Sequence, residues 1–146
     1  MPQGVALPLR GASAARGGMS GYKNTRSNEM TDLEILKLAV KTLDSKKGHD
    51  IKVIRIADVS SVADYFVLVT GTSATQVKTL ADETEMKLKA AGVTPERTVN
   101  HRGAEWVVLD YVNVVIHIFY KDARAFYDLE RLWEDGDILE IEALLK

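Results

Sequence analysis

Apolar and polar positions follow two different periods along this chain, and the switches between them mark its elements. Ile35, Leu36, Ala39, Val40 and Leu43 fall on one face of a helical repeat, which predicts an amphipathic helix. Thr31 and Glu34 stand as a capping box at its start, and Lys46, Lys47 and Gly48 signal its end. IKVIRI (51–56) then reads as a strand, DVSSVAD (58–64) as a loop, and YFVLVT (65–70) as a strand covered on both faces. GTSATQ (71–76) turns that strand into a second helix, with Ser73 and Gln76 as a capping box. Val77, Leu80, Ala81, Thr84, Leu88 and Ala91 form its inner stripe, and Gly92 ends it. EWVVLDY (105–111) and NVVIHIF (113–119) read as two strands with a tight connection at Val112 and Asn113. Helical spacing returns over 122–133, and DILEIEALLK closes the chain with a short packing element. The expected fold class is α+β, a mixed β-sheet flanked by helices.

If Val112 and Asn113 are the central residues of a two-residue turn, Val108 faces His117, Trp106 faces Phe119 and Asp110 faces Val115. One face of this ribbon then carries Val107, Leu109, Tyr111, Val114, Ile116, Ile118 and Tyr120, an obvious core. The other carries Trp106, Val108, Asp110, Val115, His117 and Phe119, aromatic anchors beside a carboxylate and an imidazole. Two readings of that second face stand. It is a docking surface of the kind that places Trp, Tyr and Arg at its centre. Or His117 is bonded to a neighbour and Trp106 packs under a helix. On the helix that follows, Arg124, Tyr127 and Arg131 are spaced to share one flank, and Phe126, Leu129 and Trp133 another.

Composition narrows the function. At 146 residues the chain suits one domain with a real core, and without cysteine it has no disulfide, thiolate metal site or cysteine nucleophile. That fits a reducing compartment such as the cytoplasm. No apolar run is long enough to span a membrane. Residues 1–29 hold Arg10, Arg16, Lys23 and Arg26 against Glu29, whereas the remainder holds 15 basic and 20 acidic side chains. The first 29 residues, rich in Gly, Ala, Ser and Arg, read as disordered. They resemble a transit peptide in composition, but the plainer reading is a start at Met30 or Met19 with an upstream extension. The acidic domain from residue 30 to 146 suits a basic protein partner better than phosphate backbones, so little direct RNA contact is expected.

Enzyme motifs are thin. GTS lacks both Gly-rich phosphate signatures, and Gly71 and Ser73 serve a turn and a cap. His49, His101 and His117 have no metal-ligand spacing, and no serine-nucleophile elbow is present. Asp58, Asp64 and Asp110 could gather at strand ends around a divalent ion, but no close Asp-x-Asp pair supports it. No cofactor or metal is expected.

DYFVLVTGTSATQV (64–77), EWVVLDY (105–111), NVVIHIF (113–119) and the R-x-F-Y-x-L-E-R-L-W segment from Arg124 to Trp133 together resemble the ribosomal silencing factor family, also called Iojap or RsfS. The likeness covers about residues 30–135. It implies a fold related to nucleotidyltransferases without their catalytic carboxylates. It implies binding to the large ribosomal subunit through ribosomal protein L-fourteen, a steric block to small-subunit joining, and repression of translation when nutrients are scarce, with no chemistry. The motif positions are Asp64, Tyr65 and Phe66, then Trp106, Asp110, Tyr111, His117 and Phe119, then Arg124, Tyr127, Leu129, Glu130 and Trp133. The exposed aromatics and charges among them are the expected partner contacts, with Leu129 in the core. Two departures from the family pattern stand out. Val99-Asn100 or Asn100-His101 replaces the usual Glu-Gly before the tryptophan, and Val112 replaces a turn Gly. Valine disfavours positive φ, so Asn113 is expected to take the left-handed position, or the turn to be remodelled. The rival functions are a Mg²⁺-dependent nucleotidyltransferase using Asp64 or Asp110, and a scaffold that forms a homodimer through the Trp106–His117 face.

Overall fold

A computed structural model describes residues 30–145, apart from residues 60, 102 and 104. The expectations for residues 1–29 lie outside the described residues. The chain runs α1 (Asp32–Ser45), β1 (His49–Arg55), β2 (Tyr65–Gly71), α2 (Ala74–Ala90), β3 (Arg97–His101), β4 (Trp106–Asp110), β5 (Val114–Tyr120), α3 (Lys121–Tyr127), α4 (Leu129–Leu132), β6 (Asp137–Leu139) and α5 (Ile141–Leu145). The strands form one mixed sheet in the order β3-β4-β5-β2-β1-β6. β2 and β5 run parallel, and the other neighbours are antiparallel.

The capping chemistry read from the sequence sets the helix starts. Thr31 Oγ1 accepts from Glu34 N at 3.1 Å, and the Glu34 carboxylate accepts from Thr31 N at 2.9 Å. α1 ends in a Schellman motif, with Gly48 N donating to Leu43 O and Lys47 N to Asp44 O. The left-handed residue there is Lys47, at φ 66°, rather than Gly48. Gly48 is needed for space instead, because a Cβ on it would come within 2.5 Å of Val69 Cγ2. α2 ends on Gly92 at φ 94°, with Ala91 exposed at its cap rather than on the inner stripe. Ser73 caps α2 as expected, but Gln76 turns to the Thr72 amide and to the Lys47 carbonyl, so it ties the two helix ends together.

Both faces of the sheet are buried. On one, Val53, Val67, Val69, Val107, Leu109, Val114, Ile116 and Ile118 pack against the stripes of α1 and α2 and against Leu144 of α5. On the other, Ile54, Phe66, Leu68, Trp106, Val108, Val115 and Phe119 lie beneath Ala123, Tyr127, Leu129 and Trp133. The β4–β5 register is the expected one, pairing Trp106 with Phe119, Val108 with His117 and Asp110 with Val115.

Four features differ from the sequence reading. Residues 97–101 form an edge strand that the chain's polarity there did not announce. The closing segment is divided into β6 and α5. The helix over 122–133 is broken by Asp128 at φ 51°, ψ 52°. And Val112 itself takes positive φ, at 73°, while Asn113 does not. Asn113 N donates to Tyr111 O across this residue, a γ-turn. Asn113 is pinned further: its carbonyl accepts from Asp64 N and Tyr65 N, and its side chain donates to Asp32 Oδ2. Asp110 Oδ1 meanwhile accepts from Val112 N at 2.8 Å. These bonds fix both sides of the turn and leave the strained φ to Val112.

Candidate functional site: an aromatic cap and a charge-bridged corner

The break at Asp128 shapes the site. Aspartate tolerates the left-handed conformation, and Asp128 N still bonds to Arg124 O as α3 ends. The chain then restarts in a new direction, which carries Leu129 into the sheet and sets Trp133 edge-on against Phe66 at 5.5 Å. Tyr127 lies on Trp106 at 4.4 Å. The aromatic face is therefore capped from within the chain. Trp106 and His117 are both 0% exposed. The docking-surface reading of that ribbon is corrected here: Trp106, Asp110, Tyr111, His117 and Phe119 are buried and present no free face. The second reading holds for Trp106 and His117. The Trp106 indole N–H donates to His117 Nδ1 at 3.2 Å. Indole nitrogen is a donor only, so His117 accepts there as a neutral imidazole carrying its proton on Nε2. The same burial removes the homodimer that was to use this face.

Arg124, Tyr127 and Arg131 do not share a flank. Arg124 is 9% exposed and points inward, whereas Arg131 is exposed. Arg124 Nε and Nη2 bond to the two carboxylate oxygens of Glu130, each at 3.2 Å. Six residues along a continuous helix end about 120° apart around its axis, so only the break lets these side chains meet. Arg124 Nη1 donates to Asp50 O at 2.6 Å and to Thr70 Oγ1 at 2.9 Å, and Lys52 Nζ reaches Glu130 Oε2 at 2.7 Å. Burial alone would raise the Glu130 carboxyl, but the hydrogen bonds from Arg124 and Lys52 outweigh it and hold the group below its ordinary range. Tyr111 lies on the opposite face, where burial pushes its phenol well up and Glu85 adds to the shift.

Outside the cap, Phe126 is 73% exposed and Leu132 42%. They border a strongly acidic segment: residues 128–142 carry seven carboxylates and a single cation, Arg131. Helical spacing puts Phe126 on one flank with Leu129 and Trp133; the break at Asp128 parts them, so that Leu129 is buried while Phe126 and Leu132 are exposed. Asp64 and Tyr65 are half-buried at the start of β2, with Tyr65 packed against the aliphatic face of the sheet. Asp110 spends a carboxylate oxygen on the turn at Val112. Among the described residues no group of His, Cys, Asp and Glu is placed to hold a metal ion, and no helix is long and apolar enough to cross a membrane.

The architecture is an α+β domain with a mixed six-stranded sheet. It is shared with a crystal structure of a Chromobacterium violaceum protein, 38% identical, at a TM-score of 0.69 over 72% of this chain and 88% of that one. It is shared also with one from Bacillus halodurans, 34% identical, at a TM-score of 0.65 over 73% of this chain and 97% of that one. The family described as ribosomal silencing factor during starvation matches residues 29–146. Ribosomal silencing factor RsfS of Halalkalibacterium halodurans is 35% identical over 80% of this chain and 99% of its own length, and that of Bacillus subtilis 34% over 77% and 96%. The chloroplastic protein Iojap of Zea mays is 28% identical over 75% of this chain and 49% of its own length. The chain belongs to the ribosomal silencing factor family.

Proposed function

We propose that this domain docks on the large ribosomal subunit through ribosomal protein L-fourteen, sterically blocks joining of the small subunit, and so represses translation when nutrients are scarce. The observation that carries this reading is the pair of exposed apolar side chains, Phe126 and Leu132, set on an acidic segment. An apolar anchor ringed by carboxylates suits a basic protein surface. Tyr127 and Trp133 contribute their accessible edges, Glu130 its carboxylate, and Asp64 and Tyr65 a second contact at the start of β2. Arg124 acts by holding Glu130 in place. Trp106, His117 and Phe119 act from below, as the packed base under the docking residues, whereas Asp110 holds the Val112 turn and Tyr111 packs on the opposite face of the sheet. The work is steric, in the cytoplasm, on a fold related to nucleotidyltransferases, and needs no cofactor, metal or catalytic step. A second copy of the chain is the rival occupant of the patch.

The test is co-sedimentation of the full chain with separated ribosomal subunits, alongside a subunit-joining assay. Binding to the large subunit with joining blocked is the expected result; no binding at moderate salt would sink the reading. Phe126→Ala and Leu132→Ala should each weaken binding by about 1–3 kcal/mol if they are anchors. Tyr127→Ala and Trp133→Ala should do the same, with the fold checked in parallel because both touch the aromatic core. A homodimer that the Phe126→Ala variant dissolves would instead assign the patch to self-association.

A further inference from the structure

β2 and β5 are the parallel pair of the sheet, and their carboxyl ends, at Gly71 and Tyr120, open onto a pocket of about 510 Å³. A crevice outside the carboxyl ends of parallel strands is where open sheets place their ligands. The pocket is lined by Asp50, Lys52, Thr70, Lys121, Arg124 and Glu130, with Ile51 and Ala125. Its rim is irregular: Asp50 has a positive φ of 51°, and the β1–β2 register shifts between His49 and Lys52. Bulges and strained residues of this sort gather beside binding sites.

The donor count indicates the ligand. Arg124 has five N–H groups, and four go to Glu130, Asp50 O and Thr70. One remains. The Lys52 ammonium spends one hydrogen on Glu130 and keeps two. Lys121 makes no ion pair among the described residues and keeps three. Glu130 is neutralised by two cations, and the Asp50 carboxylate alone opposes them, so the lining stays net positive. A pocket this rich in unspent donors calls for a ligand that is all acceptor. We propose that it binds the phosphoryl group of a small phosphate ester, with Arg124 as its fixed floor and Lys52 and Lys121 as its mobile cations. The charged fork is already held by Glu130 and Thr70, so little ordering is lost when the anion arrives. The pocket shares Arg124 and Glu130 with the docking reading above, but Lys52 and Lys121 take no part in that reading, and the titration below tests the pocket without the ribosome.

The test is an NMR titration of the isotopically labelled full chain with inorganic phosphate, pyrophosphate and ribose 5-phosphate, at ionic strength fixed with chloride. Saturable shifts at Lys52, Thr70 and Arg124 Nε are expected. Lys121 is exposed, so Lys121→Gln should leave the ligand-free spectrum intact and weaken binding about tenfold. Lys52→Gln should weaken it similarly. A response to ribose 5-phosphate stronger than to inorganic phosphate supports an ester. Non-saturating shifts, equal shifts with sulfate, or binding unchanged in both lysine variants would overturn the proposal.

Discussion

Beneath α1 and α2 the sheet presents valine, leucine and isoleucine almost throughout, whereas the opposite face presents Phe66, Trp106, His117 and Phe119. Two long amphipathic helices cover the aliphatic face. Two short helical pieces, α3 and α4, and the partly buried Val62 and Val99 cover the aromatic one. Aliphatic side chains pack into a helix's ridges from any strand position, so regular helices suffice there. Flat rings need edge-on and offset partners: Tyr127 supplies one from the end of α3, and Trp133 reaches the other after Asp128 breaks the helix. On the outer side of these two pieces Phe126 and Leu132 are exposed to solvent. One face of the sheet thus holds the domain together, and the other converts packing into the shape of an outer surface.

The sharpest break of this comparison is Trp106→Ala against Leu80→Ala, both fully buried in the native chain. Trp106→Ala should cost about 3–5 kcal/mol in urea unfolding and Leu80→Ala about 2–5. Only the first should also open the stretch from Lys121 to Trp133 to limited proteolysis. Equal cleavage in both variants would mean that the aromatic face does not hold the cap.

Glu130→Gln comes next. It leaves the guanidinium of Arg124 without its carboxylate and should cost about 1–2 kcal/mol at neutral pH, discounted because Glu130 is partly exposed. The Glu130 carboxyl lies below its unfolded value of 4.5. Its contribution is therefore complete above that value and is lost as pH falls through the lower, folded value. Stability curves of the native chain and the variant should converge in acid. A gap independent of pH would assign the loss to packing.

Smaller still, Val112→Gly should stabilise by about 0.5–1 kcal/mol, since relief of the positive φ exceeds the added freedom of the unfolded chain. A lower melting temperature would show that the Val112 side chain contributes more by contact than its backbone costs. Phe126→Ala should shift stability by less than about 0.5 kcal/mol, because that side chain covers little of the core. A larger loss would place it in the cap rather than on the surface.

Local rules made much of this legible. Thr31 with Glu34, Ser73, Gly92 and the alternation through EWVVLDY and NVVIHIF each act within a few residues, and they define α1, α2 and the β4–β5 register. β3 was not legible, since an edge strand with three of its five residues exposed carries little alternation to read. The family, too, was carried by the sequence, in the strings 64–77, 105–119 and 124–133.

The sequence by itself determined the α+β class, the aliphatic core face, the acidic balance and the family, because periodicity, caps and motif strings are local and survive without coordinates. Only the tertiary structure decided that Trp106 and His117 are interior, that Arg124 meets Glu130 across a broken helix, and that Phe126 and Leu132 face outward. The reason is physical. Which face of a two-sided sheet stays open depends on where a distant segment returns. That return turns on the left-handed backbone of Asp128, whose cost is small enough for side-chain packing to outweigh.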